Sequence, residues 1–143
     1  MKRLLTIALV ALAVAAPAAA QDRAPLGDVL DSLRGLWARE DASAISDYIA
    51  ASGADLEIGG ASMGGLNGRK LSAALRRVFD DRETVSVVSR MTSPVQGVED
   101  RAFGEFEWVL RVRGATVSEN ATVFVALVHE PAGWRITQIR ILE

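Results

Sequence analysis

Cysteine is absent from this 143-residue chain, and histidine occurs once, at His129. Disulfides, thiol nucleophiles, cysteine-ligated zinc and a lipid-modified cysteine are therefore excluded, and one imidazole cannot assemble a multi-histidine metal site. An excess of positive charge is missing too: 16 lysines and arginines face 18 acids, for a formal charge of −2. A mildly acidic chain lacks the concentrated basic face that nucleic acid requires, and it is a poor partner for anionic membrane surfaces. Nor is there an apolar run long enough to span a bilayer. Leu4 to Ala16 is broken only by Thr6, yet it falls short of the roughly 20 residues a spanning helix needs.

That run has another reading. Met1-Lys2-Arg3 is a short basic start, and Ala18-Ala19-Ala20 offers an A-x-A cleavage site before Gln21-Asp22. Together they form the three-part pattern of a secretory signal peptide over residues 1–20, which predicts a periplasmic or secreted product with no membrane contact after cleavage. Cleavage removes two positive charges and leaves Lys70 as the only lysine. Next come a polar tail, residues 21–25, and a length suited to one domain, residues 26–143. A chain of that size can bury a core without metal or disulfide staples.

Helical spacing begins at Leu26. Leu26, Val29, Leu30, Leu33, Leu36 and Trp37 form one apolar stripe, with Asp28, Asp31, Arg34 and Arg39 opposite. Asp41 is placed to cap a second helix from Ala42 to Ala50, and Asn67 to cap a third that runs to about Asp80, with Leu71, Leu75, Val78 and Phe79 on its apolar side. Between them, Ala54 to Ile58 alternates as a short strand. Gly59 to Gly65 reads as a turn region with a stub of strand near Met63.

Everything after Asp80 reads as sheet. Thr84 to Met91 is assigned Val85, Val87 and Met91 on one face, and Ser93-Pro94 and Gly97 mark a loop. Arg101 to Val112 alternates most cleanly: Ala102, Gly104, Phe106, Trp108, Leu110 and Val112 face one way, and Arg101, Glu105, Glu107 and Arg111 the other. Glu119 to His129 is a more apolar, central strand, and Glu130 to Gly133 closes a hairpin. In the last strand Trp134 and Ile136 have opposite parity to Ile139 and Ile141. A β-bulge near Thr137-Gln138 would bring all four to the core side and bend the sheet. Helices gathered on one face of an antiparallel sheet give an α+β class.

Three segments in this order resemble the nuclear transport factor 2-like superfamily, which includes SnoaL-like and ketosteroid-isomerase-like domains. Residues Trp37-Ala38-Arg39-Glu40-Asp41-Ala42-Ser43-Ala44-Ile45 are similar to its junction between the first two helices. Gly68-Arg69-Lys70-Leu71 resembles the start of its third helix, and Gly133-Trp134-Arg135-Ile136-Thr137 its closing strand. Within that superfamily the chain looks closest to small exported bacterial domains without an assigned function. The resemblance implies three helices packed on a curved, bulged antiparallel sheet in a cone, cystatin-like in outline, with a pocket between the layers. Members of this fold often dimerise through the sheet's outer face. The resemblance does not imply a reaction, because this fold hosts isomerases, cyclases, dehydratases and plain binding proteins.

Active members usually hold an Asp, Glu or His in the pocket, where loss of solvent raises a carboxyl pKa toward neutrality. Here Asp55 and Glu57 alternate against Leu56 and Ile58, and Glu105 and Glu107 against Phe106 and Trp108, which puts every one of these acids outside. No residue is assigned a catalytic role, and no cofactor or metal is expected. The candidate pocket residues are Phe106, Trp108, Phe124, Trp134 and Gln138, whose aromatic members equally suit core packing. The glycine-rich stretch before Arg69-Lys70 lacks phosphate-loop spacing and reads as a turn. The leading expectation is a non-catalytic envelope domain that binds a small apolar or amphipathic ligand or a protein partner; a separate, structural possibility is a homodimeric module that uses the sheet's charged outer face. The alternative is an isomerase-like enzyme working by general acid/base chemistry from Glu57, Glu105, Glu107 or His129.

Overall fold

The computed structural model describes residues 24–143, so the expected leader lies outside the described residues. Helix α1 (Leu26–Ala38) buries Val29, Leu30, Leu33 and Trp37 along one stripe, as the spacing predicts, and Asp28 in its first turn complements the helix dipole. Helix α2 (Ala42–Ser46) is capped by Asp41, whose carboxylate accepts from Ala44 N at 3.0 Å. It stops four residues before the expected Ala50. The reason is tertiary: Ala50 N donates to Ile136 O at 2.9 Å and Ile136 N to Tyr48 O at 2.7 Å, so the sheet claims this backbone before a further helical turn forms.

Helix α3 (Gly68–Asp81) starts at Asn67, whose side chain accepts from Lys70 N at 2.9 Å, and it buries Leu71, Leu75, Val78 and Phe79. Strands β1 (Ala54–Ile58), β2 (Ala61–Leu66), β3 (Arg82–Pro94), β4 (Arg101–Val112), β5 (Glu119–Glu130) and β6 (Gly133–Leu142) form one sheet in the order β2-β1-β6-β5-β4-β3. The sheet is mixed, which corrects the antiparallel expectation. β1 runs parallel to β6, with Leu56 opposite Ile139 and Ile58 opposite Ile141, while the other pairings are antiparallel. The segment Tyr48–Ala50 already lies alongside Ile136 in the parallel sense, and β1 continues that direction.

Two further corrections concern β2 and β3. Gly59-Gly60 is the expected turn, but the remainder of the glycine-rich stretch is a full strand, irregular opposite Asp55, where Gly65 takes φ 63° and donates its N–H to the Asp55 carboxylate at 2.9 Å. Strand β3 extends through Ser93-Pro94, and its register shifts twice, at Val85 and at Arg90. Simple alternation fails across each shift. Val87 is buried, whereas Val85 and Met91 are exposed.

The shift expected in β6 is present: Ala126 pairs with Gln138 but Leu127 with Ile136, leaving Thr137 extra. Ile136, Ile139 and Ile141 are thereby all buried, and Trp134 packs half-buried at the core's edge.

Candidate functional site

The space between helices and sheet is where this architecture would hold a ligand, and side chains fill it. Trp37, Phe79 and Trp108 meet edge to face, with ring centroids 5.2 to 6.1 Å apart. Phe106 and Trp108 are 1% and 0% exposed. Leu30 lies so close to Gly104 that a Cβ there would fall 2.6 Å from its Cδ2. A glycine at this point of β4 is what lets α1 approach the sheet.

Polar chemistry is scarce in that interior. Among the described residues the buried polar side chain is Ser46, and its hydroxyl donates to Ala42 O at 2.8 Å. Trp108 Nε1 donates to Thr84 Oγ1 at 3.0 Å, while Trp37 Nε1 is buried with no hydrogen-bond partner among the aromatic rings. Glu40 comes nearest to an interior acid, yet both its oxygens are engaged. One accepts from Thr84 N at 2.7 Å, and the other pairs with Arg113 at 3.3 Å. Its role is to satisfy the irregular start of β3.

The acids singled out from the sequence stand elsewhere. Asp55 is exposed and bound to Gly65 N. Glu57 pairs with Arg140 at 3.2 Å, and Glu107 pairs with Arg90. Glu105 lies on β4 among the half-buried outer positions. His129 is half-buried at the rim, its ring 4.9 Å from that of Trp134, and its backbone N–H donates to Asp100 O.

The five candidate pocket residues do not share one cavity. Phe106 and Trp108 belong to the buried core. Trp134 lines a cleft of about 400 Å³ at the rim, together with Asp28, Ser32, Asp47, Tyr48 and Arg135. Phe124 and Gln138 alternate with buried neighbours and occupy the outer face of the sheet, where Phe124 stacks on Phe103 with centroids 5.3 Å apart and an interplanar angle of 27°.

That outer face carries a half-buried apolar patch. Phe103, Val109, Phe124, Ala126 and Val128 form its centre, and Val88 and Met91 continue it at 49% and 47% exposure. Charges punctuate this face: Glu105 and Glu107 lie on β4 between Phe103 and Val109, and Arg140 lies on β6 across Phe124 from Glu105. Sequence reasoning registers the charges of this face and misses Phe103, although an odd-numbered position in an alternating strand is the available signal. It misses the rim residues Asp28, Asp47, Tyr48 and Arg135 as well. They come from three distant segments, and no local pattern links them.

No family model matches the chain, and no curated protein matches it. Solved structures do. A DUF4783 family protein from Bacteroides uniformis aligns with TM-score 0.68 at 16% identity, over 80% of this chain and 96% of that one. A hypothetical protein of ketosteroid isomerase-like fold from Catenulispora acidiphila, solved in complex with trimethylamine, aligns with TM-score 0.64 at 16% identity, over 83% and 87%. A domain of unknown function with a cystatin-like fold from Nostoc punctiforme gives TM-score 0.64 at 12% identity, over 82% and 76%. At these identities the likeness is one of fold. The chain has the ketosteroid-isomerase-like, cystatin-like architecture, in keeping with the nuclear transport factor 2-like resemblance of its three sequence segments.

Proposed function

We propose that this chain is an exported, non-catalytic association module whose sheet curves into a cone around a solid core and whose outer face binds a second copy of the chain. The observation that carries this reading is the Phe103–Phe124 stack on a sheet face that no layer covers among the described residues, with Glu105 on β4 and Arg140 on β6 level with Phe124 on either side. Contiguous apolar surface of this kind marks an interaction site on a water-soluble protein.

A closed dimer needs a self-complementary patch. A twofold axis lying along β5 in the plane of contact sets β4 of one copy over β6 of the other. Glu105 then opposes Arg140, both level with Phe124, and the Phe124 rings meet at the axis. Electrostatic matching of this type fixes register and rejects other partners. Export is supported by the basic, apolar and small-residue segments of residues 1–20. The acid/base alternative has no interior carboxylate or imidazole to work with among the described residues.

Sedimentation velocity on the mature protein over micromolar to millimolar concentrations tests the proposal. Dimer is expected to form with rising concentration, and Phe124→Arg is expected to leave monomer whose thermal unfolding matches the wild type. Monomer alone at the highest concentration would overturn it.

A further inference from the structure

The rim cleft brings two carboxylates and a guanidinium together without pairing them. Six arginine–carboxylate pairs form elsewhere among the described residues. Asp28 and Asp47 line the cleft and make no ion pair among the described residues, and neither does Arg135. The guanidinium of Arg135 is held to one wall instead. It lies 6.0 Å from the centroid of the Tyr48 ring and donates to Ala132 O at 3.3 Å.

From these observations we infer that the cleft binds a small organic zwitterion, a molecule with an ammonium, a carboxylate and a modest apolar body. Asp28 and Asp47 face the ammonium, Arg135 faces the carboxylate, and Tyr48 and Trp134 supply the apolar walls. A volume of about 400 Å³ suits a molecule of amino-acid size. A plain cation meets repulsion from Arg135, and a plain anion meets repulsion from two carboxylates; only a ligand carrying both signs satisfies all three groups. Neither Phe103 nor Phe124 lines this cleft, so the two proposals rest on different side chains.

Intrinsic fluorescence gives a direct readout, because Trp37 and Trp108 are 2% and 0% exposed while Trp134 is half-exposed in the cleft. The mature protein is titrated with leucine, leucinamide and N-acetylleucine, which carry both charges, the cation alone and the anion alone. Leucine is expected to saturate the signal and to bind about tenfold more tightly than either blocked form, the value of one charge-assisted contact. Asp47→Asn should weaken leucine binding about five- to tenfold, as should Arg135→Gln. Both residues are on the surface, so unchanged melting curves would separate lost binding from lost folding. Equal response to all three probes, preference for a blocked form, or no saturable change with any of them would overturn the inference.

Discussion

Strands β4 and β5 present two surfaces made from the same stretches of chain. On the inner surface Phe106, Trp108, Leu110, Val123, Val125 and Leu127 are 0 to 2% exposed and locked against three helices. On the outer surface Phe103, Glu105, Glu107, Phe124 and Val128 alternate with them and have no covering layer among the described residues. The contrast separates two uses of apolar side chains: those inside hold the fold, and those outside are free for association. Aromatic and aliphatic side chains fill the interior here, and the outer face is the one on which the proposed association rests.

The inner surface should respond to truncation by losing stability. Trp108→Ala removes a fully buried ring and its bond to Thr84, and it is expected to cost about 3–5 kcal/mol in denaturant unfolding. If Trp108→Ala left stability intact, the packed-core side of the contrast would fail. Gly104→Ala places a methyl against Leu30, which is itself 1% exposed, and should cost about 1–3 kcal/mol through overpacking. A cost near zero would show that α1 sits more loosely than its contacts imply. Asn67→Ala removes the cap of α3 and should cost about 1 kcal/mol, visible as a lowered Tm. Smallest of all, Glu57→Gln removes one charge of the part-buried pair with Arg140 but keeps an acceptor oxygen, and should change stability by about 1 kcal/mol or less.

Much of the inner surface is legible in the residues themselves. Ala102 to Leu110 alternates without a break, and the parity conflict between Ile136 and Ile139 points to the extra residue found at Thr137. Helices α1 and α3 announce themselves through apolar spacing and through Asn67. Other features leave no local trace. The parallel pairing of β1 with β6 is a long-range choice, and the two shifts in β3 reverse parity in a strand already poor in large apolar residues. β2 has two glycines and no alternation, so its membership of the sheet shows only in its partner. The outer stripe is half legible, because its charges are plain while Phe124 has the look of an interior residue and Phe103 gives no sign of its stack. The rim cleft joins positions 28, 47 and 135, which only the folded chain brings together.

The most direct test of the contrast is NMR line broadening by a soluble nitroxide, read at side-chain methyls on both faces at low and high protein concentration. Met91, Val88 and Val128 should broaden strongly in dilute solution and become protected as concentration rises, while Leu30, Ile139 and Val125 stay sharp throughout. Outer methyls equally accessible at every concentration, together with broadening of Leu30 or Ile139, would contradict the account: the interior would then be the open site and the outer face inert.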